Sequence, residues 1–474
     1  MVDLPKNILY TNDNLFILNG MNSESVDLIY LDPPFNSKRT YSAPIGSKSA
    51  GASFKDMWSW DDVNEFYLEK MFTEYPYLVS FIQAIEGIHG KAMMSYITYM
   101  IQRIIELHRV LKPTGSLYLH VDPTASHYLK IVLDRIFGKN NFRNEIIWQR
   151  MSGAKGSQFK SKKFGTINDY ILFYTKTDNY TINPTIKLTK NDPLTLKRFN
   201  KIDKIGQRYY DDSAHIWSNP SMGDRPNLCY EWRGYTNPHS SGWRLSKERL
   251  EEEYQKGNIL IRKDGKLERR KYYKDDRGTP LNNIWTDINI ASGKERTGYP
   301  TQKPLALLHR IINASSKKGD IVFDPFCGCA TTCVAAQQLN RKWIGIDIED
   351  QAAQVLIDRL SDDAGLFSDF IHSTEIPERT DIKKVSPNLN IKERLFKEQK
   401  GNCNGCGNQY LIKDFHIDHI VPKAKGGGDY YTNYQLLCGH CNTTKGDRPM
   451  EYLMVKINKR EELMRSKLSF GKKN

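Results

Sequence analysis

Along the first 140 residues, short apolar runs alternate with stretches of helical period. "SVDLIYL" (Ser25–Leu31) is nearly unbroken in its apolar character, the pattern of a strand buried on both faces. A Gly-, Ser- and Pro-containing loop separates it from "MMSYITYMIQRIIELHRVLK", whose apolar positions recur with the helical period. "PTG" punctuation follows, then the strand-like "SLYLHVD" and a helix expected from about Thr124 to Phe137. A second block opens near Pro304 with helix "LALLHRIINASS", strand "DIVFDPF", helix "TTCVAAQQL", strand "KWIGIDI" and a helix from about Gln351. Strands alternating with helices predict βαβ units, and hence an α/β fold with a doubly wound parallel sheet built from two blocks about 150 residues apart.

Between the blocks, from about Met151 to Gly298, the texture becomes polar, aromatic and Gly-rich. It includes "CYEWRGYTNPHSSGWRLSKERL" and the basic run "RKDGKLERRKYYK". That run alone fits a solvated hairpin. An insertion of this size with positive charge and exposed aromatics also suits contact with DNA, cations meeting phosphates and planar groups meeting bases. The expected domains are therefore 1–150 and 299–362 as two halves of one sheet, 151–298 as an insertion, 363–390 as a linker with few periodic apolar positions, and 391–474 as a separate small domain.

With 474 residues the chain is too long for one ordinary core. Sixty-nine Lys and Arg against 55 Asp and Glu leave a formal charge of +14, which suits a polyanionic partner. The stretch from Ile391 onward holds 16 Lys and Arg against 9 Asp and Glu, so about half that charge sits in under a fifth of the length. No apolar run is long enough to cross a bilayer and "MVDLPKNILY" lacks the pattern of a secretory signal, so a cytoplasmic location and no membrane partner are expected. In a reducing compartment, cysteines are more suited to metal than to disulfides. Cys403, Cys406, Cys438 and Cys441 form two C-x-x-C pairs, whereas Cys229, Cys327, Cys329 and Cys333 do not.

The candidate chemistry begins where "VDLIYLDPPF" ends. By itself the stretch has a plain structural account, with Asp32 closing the strand and Pro33 and Pro34 preventing further pairing. In the second block, the turn from Asp324 to Gly328 could bring backbone close to a ligand, and Asp347, ending the next strand, could accept hydrogen bonds from ribose hydroxyls. The fingerprint G-x-G-x-x-G is absent, which disfavours a pyrophosphate-bearing dinucleotide. An adenosine-containing cofactor without phosphates fits better.

"LDPPF", "YPTQKPLALLHRII", "VFDPFCGCATT" and "WIGIDI" resemble, in this order, the catalytic, cofactor-helix, cofactor-loop and ribose motifs of beta-class amino DNA methyltransferases that use S-adenosylmethionine. The resemblance spans about Lys6 to Leu360 and implies a Rossmann-like methyltransferase sheet whose insertion recognises the target in double-stranded DNA. It assigns the Asp32 carboxylate and the Pro33 carbonyl as acceptors for the target amino group, Pro34 as a stiffener of the turn, and Phe35 as a stacking surface for the base. It places Lys303 near the methionine carboxylate, Asp13 at the cofactor adenine, and Phe323, Asp324, Pro325, Phe326, Gly328, Thr331 and Asp347 around the cofactor. Two positions depart from the pattern. Asn12 stands where a Gly usually precedes the acidic residue, and Ala330 stands where the loop usually has Gly, so a positive φ at Ala330 would strain the turn. D-P-P-F accompanies adenine more often than cytosine in related enzymes, which makes adenine N6 the expected acceptor. Related enzymes also dimerise, and the sequence leaves a homodimer open.

The C-terminal stretch combines the four cysteines, with the spacing of a closed structural zinc site, with "DH" followed by Asn433 and Asn442. This resembles the HNH nuclease family and its ββα-metal fold. The resemblance implies Asp418 and Asn442 as oxygen ligands for Mg²⁺ or a similar hard ion, His419 as general base, and Asn433 as the residue that holds the histidine loop. Two rivals follow from the same residues: a methyltransferase whose zinc domain only grips DNA, and a protein-glutamine methyltransferase. The latter has its cofactor loop before the catalytic motif and needs neither the basic insertion nor a nuclease-like tail.

Overall fold

The computed structural model describes residues 7–457, except 37–38, 45–46, 48, 50–52, 64–66, 69–70, 72–73, 152, 154–161, 163, 184–185, 188–196, 214–215, 276–278, 350–353, 360–369 and 451. The start of the helix expected from Gln351 and the first part of the expected linker lie outside the described residues. Two compact units are present, Pro184–Leu281 and the remainder.

The larger unit is organised by a nine-stranded sheet. Its strands are β1 (Ile8–Thr11), β2 (Val26–Leu31), β3 (Leu111–Val121), β4 (Phe142–Gln149), β5 (Asn168–Thr175), β6 (Ile284–Trp285), β7 (Ile321–Asp324), β8 (Lys342–Asp347) and β9 (Ile371–Ser373). They lie in the order β6-β4-β5-β3-β2-β7-β8-β1-β9. Only β5 runs against the others, although it falls within the stretch that the sequence pattern assigns to the insertion. Central β2 buries Val26, Leu28, Ile29, Tyr30 and Leu31, as expected for a strand with helices on both faces.

Four helices carry the argument: α1 (Asn14–Gly20), α2 (Lys91–Val110), α3 (Leu305–Ser315) and α4 (Thr331–Gln338). α2 buries residues on most of its faces, from Met93 to Val110. The decisive pairing is β2 beside β7, with Leu28 opposite Val322 and Ile29 opposite Phe323. It brings the two sequence blocks together where the strand order reverses, the crevice that α/β sheets use for ligands.

The smaller unit has a four-stranded antiparallel sheet and the helix Lys247–Gln255. Here the structure corrects an expectation. Trp232 and Trp243 are core residues, packed with Ile216, Leu250, Ile259 and Leu267, instead of exposed aromatics. The basic run forms the hairpin strands, and its arginines are internally paired: Arg262 with Glu268, Arg269 with Glu253 and Arg270 with Asp211.

Within the larger unit, the C-terminal domain is a ββα arrangement of β10 (Phe415–His419), antiparallel β11 (Tyr434–Cys438) and α5 (Gly439–Lys445). The chain leading to it is docked. Asn12 donates to the Thr374 carbonyl at 2.9 Å, Thr380 N–H to Asn22 at 2.7 Å, and Ser23 N–H to Asp381 at 2.9 Å. Asn19, on α1, donates to the Gly426 carbonyl in the nuclease-like domain.

Gly20 lets this strap approach, because a Cβ there would collide with the Pro377 carbonyl and the Ile376 side chain. Gly20→Ala therefore sets helix propensity against packing. Propensity favours Ala by about 1 kcal/mol, and a backbone collision costs about 1–3 kcal/mol. The variant is expected to melt at lower temperature and to be cut faster by trypsin near Arg379. A more stable, equally resistant variant would contradict the docking.

Candidate active site

Four loops at the carboxyl ends of parallel strands, together with the segment before α3, line one cavity of about 510 Å³. Asp13 follows β1, Asp32 to Phe35 follow β2, the Asp324–Thr331 loop follows β7, and Asp347 closes β8. Lys303 precedes α3. Of the residues expected at the methyl-transfer and cofactor site, all line the cavity except Phe323, which is fully buried in the apolar core.

Lys303 Nζ is ion-paired with Asp32 Oδ2, joining residues 271 positions apart. The other oxygen, Asp32 Oδ1, is buried and has no hydrogen-bond partner. A buried acceptor in that condition costs free energy unless something donates to it. The Lys303 ammonium also lies 5.6 Å from the centre of the Phe35 ring. Asn36, next in the chain, has φ 61°, and its N–H donates to the buried Asp56 carboxylate at 2.6 Å. The turn after Asp32 is thus held on both sides.

On the opposite wall, Asp347 accepts from Gly328 N–H at 2.8 Å and from Glu349 N–H at 2.9 Å. Burial nevertheless pushes its carboxyl up to about 6. Asp324 accepts from Thr332 Oγ1 at 2.5 Å and from Phe326 N–H at 3.0 Å, and burial raises it to about 7. Ala330 sits at φ 55°, the left-handed conformation its motif reserves for Gly, so the strain expected from the sequence is present.

Asp13 caps α1, accepting from Leu15 N–H at 2.8 Å. It is also ion-paired with Arg103 at 2.9 Å. Arg103 in turn reaches Asn14 at 2.6 Å and lies 3.2 Å from the centre of the Tyr99 ring. Sequence reasoning missed Arg103 because, on an apolar helix, it reads as a solvent-facing charge. An arginine within the run "IQRIIE", flanked on both sides by core isoleucines, is the signal that could have found it.

In the C-terminal domain, the sulfur atoms of Cys403, Cys406, Cys438 and Cys441 all lie within 4.8 Å of one another. Tetrahedral zinc with bonds of about 2.3 Å requires sulfurs about 3.8 Å apart, and Cys406 and Cys438 are at 4.0 Å. Gly405 makes room for the cluster, since a Cβ there would lie 2.8 Å from Cys441 Sγ. The donor set suits Zn²⁺.

Nearby, His419 Nε2 is 3.0 Å from Asp429 Oδ1. Asp429 also accepts from Tyr434 at 2.9 Å and from Lys423 at 2.6 Å. Lys423 first, then His419, hold its carboxyl down at about 2. An ionised carboxylate only accepts, so the neutral imidazole carries its proton on Nε2 and leaves Nδ1 as a basic lone pair. Asn433 donates to the Val421 and Gly428 carbonyls and accepts from Val421 N–H, spanning the loop after His419. Asp418 is held by Gln435 at 2.8 Å and by the fully buried Lys445 at 3.0 Å. Asn442 lies three residues before Lys445 on α5, on the same helix face. Asp429 and Lys445 were not singled out from the sequence, although they lie in the short runs "KGGGD" and "KGD" that precede Asn433 and follow Asn442, respectively.

A family model described as DNA methylase matches residues 26–358, and one described as HNH endonuclease matches residues 403–448. The chain is 30% identical over 384 residues to the Type II methyltransferase M.EcaI of Enterobacter cloacae, covering 79% of this chain and 74% of the relative. It is 25% identical over 352 residues to the DNA adenine methyltransferase YhdJ of Escherichia coli (strain K12), covering 73% of this chain and 80% of the relative. Among solved structures, PvuII DNA methyltransferase (cytosine-N4-specific) superposes over 78% of this chain and 97% of its own with a TM-score of 0.39 and 13% identity. With a match across most of its length, the chain belongs to the DNA methylase family, and it carries an HNH endonuclease domain after the methylase region.

Proposed function

We propose that the chain transfers a methyl group from S-adenosylmethionine to the N6 amino group of an adenine flipped out of double-stranded DNA, and that its HNH domain cleaves DNA with a hard divalent ion. Modification and restriction chemistry would then share one polypeptide. The observation that carries the first part is Asp32 Oδ1, a buried carboxylate oxygen lining a cavity without a donor. An amino group entering the cavity would supply that donor.

The residues present fit the cofactor. The cavity volume lies within the range of small-molecule sites, and the raised Asp324 and Asp347 carboxyls favour a cationic, hydroxyl-bearing ligand over an anionic one. When bound, the cofactor supplies a methyl group already activated on a sulfonium. Asp347 would hold ribose hydroxyls, Asp324 and Lys303 would face the methionine end, and Asp13, fixed by Arg103, would face the adenine.

The chain's own part is positional. An exocyclic amino nitrogen is a weak nucleophile because its lone pair is delocalised into the ring. Hydrogen bonds from it to Asp32 and the Pro33 carbonyl favour a more tetrahedral nitrogen and aim it at the methyl group. Flipping the base costs a few kcal/mol of stacking and pairing, and the face of Phe35 recovers part of it. Adenine is favoured because the motif is D-P-P-F and because one relative, matched over 80% of its length, is named a DNA adenine methyltransferase.

For the nuclease part, Asp418 and Asn442 offer oxygen ligands for Mg²⁺. His419, oriented by Asp429, offers Nδ1 to take a proton from water. The four thiolates would staple the small domain around zinc.

Three outcomes are expected. Asp32→Ala should lose at least about 100-fold in methyl transfer while remaining folded and keeping its DNA affinity; retained transfer from labelled cofactor would refute the assignment. His419→Ala should abolish Mg²⁺-dependent cleavage and leave methylation intact, and unchanged cutting would locate the nuclease elsewhere. Finally, Asp324 and Asp347 have folded pKa values raised above the unfolded value. The ligand-free fold therefore loses stability as pH rises from about 4, where the unfolded chain ionises, through the folded values of about 6 and 7, and a cationic ligand relieves the cost of the charged carboxylates. Calorimetric affinity for S-adenosylmethionine should tighten about tenfold between pH 5.5 and 7.5; a flat profile would detach these carboxylates from the binding site.

A further inference from the structure

The described mechanism does not use His120. This residue is fully buried near the end of β3, directly behind the turn that carries Phe35. Its imidazole is packed or bonded on each side. The Phe35 ring stacks on it, with centroids 6.1 Å apart and planes 22° from parallel. Trp148 meets it edge-on at 5.6 Å. Nδ1 is 2.9 Å from the Tyr30 hydroxyl, and Nε2 is 3.1 Å from Asp169 Oδ2.

Asp169 is 3% exposed, and its second oxygen is ion-paired with Arg150 at 3.2 Å. Burial acts to raise its carboxyl, but the hydrogen bond from His120 and the nearby charges prevail and hold it below the ordinary value. The carboxylate is therefore an acceptor. It fixes the imidazole proton on Nε2 and leaves Nδ1 to accept from Tyr30, whose phenol burial keeps protonated. Ring orientation and tautomer are both determined, and the face so oriented is the one against Phe35.

We infer that His120 and Asp169 form a positioning dyad for the methyl-transfer site, in which the imidazole is the rigid backing that holds Phe35 in the plane where the flipped base stacks. This rests on the reading of Phe35 as the base-stacking residue. His120 does not line the cavity, so it acts through Phe35. A buried, doubly hydrogen-bonded histidine costs desolvation that an apolar residue of similar size would avoid. The return is a ring that cannot rotate away from its neighbour.

The test is a double-mutant cycle on the full-length, zinc-loaded protein, assayed without added Mg²⁺ so that cleavage does not interfere. His120→Ala should lower kcat for methyl transfer about 10–100-fold, with cofactor affinity unchanged. In the Phe35→Leu background the same substitution should change kcat by less than about twofold, because its effect has been removed with the ring. The fluorescence of 2-aminopurine at the target position, which reports stacking of the flipped base, should rise in His120→Ala and be insensitive to His120 when Phe35 is Leu. Asp169→Asn keeps the shape and an acceptor but removes the charge; it should show a smaller kcat loss with the same dependence on Phe35, and it serves if His120→Ala does not fold. Equal losses in both Phe35 backgrounds, or full activity of both variants, would overturn the dyad. Failure of the unaltered protein to methylate DNA would instead overturn the methyltransferase reading, and the two outcomes are separable in one experiment.

Discussion

The ion pair between Lys303 and Asp32 is the contact on which the methylase region turns. It is almost out of water, the two side chains being 10% and 16% exposed. Removing two charges from water costs several kcal/mol per ion, and mutual attraction repays that only in part. Such a pair is a poor way to stabilise a fold. It makes sense where one oxygen must be fixed and the other left available, which is the state of Asp32. The pair exists only because β2 and β7 are neighbours, so the sheet register, with Ile29 opposite Phe323, is what brings the two halves of the chain to one crevice.

How much of this could be read from the sequence follows from the physics of each signal. Central parallel strands are apolar on both faces, so "VDLIYL" and "IVFD" stood out, and the motifs at their ends came with them. Ala330 could be read conditionally, since the geometry of a loop that usually takes Gly is known before any coordinates. Arg103 with Asp13 and His120 with Asp169 could not be read, because the partners lie 90 and 49 residues apart and a polar residue within an apolar element does not announce its partner. The insertion misled for a related reason. Trp232 and Trp243 read as exposed aromatics, yet a unit this small needs its large aromatics inside, and the hairpin's Arg262, Arg269 and Arg270 are paired with Glu268, Glu253 and Asp211. The chain before the HNH domain lacked apolar period because its docking is through backbone and Asn, Ser and Asp side chains.

The two centres share a design. In each, a carboxylate at the end of a strand is held by a lysine: Asp32 by Lys303, and Asp418 by Lys445. In each, a histidine is fixed by an aspartate, His120 by Asp169 and His419 by Asp429. The difference is solvent. His120 is sealed, which suits a ring that holds position, whereas His419 is a quarter exposed, which suits one that exchanges protons with water. α1 connects the neighbourhoods: its N-cap Asp13 faces the cavity, and Asn19 in its last turn meets Gly426 of the HNH domain.

Backbone strain follows the same logic. Asn36, Thr301 and Ala330 have positive φ values of 61°, 63° and 55°, and each adjoins the cavity: beyond Phe35, two residues before Lys303, and within the Asp324–Thr331 loop. A left-handed residue other than Gly costs about 1–2 kcal/mol, more for a β-branched Thr. Surrounding structure must over-determine such conformations for them to persist. Here it does, since Asp56 holds Asn36, the ion pair anchors the segment after Thr301, and the buried core around Ala330 fixes the loop. Three of the eight described non-Gly residues at positive φ thus border the cavity, where the proposed chemistry needs the geometry to be rigid.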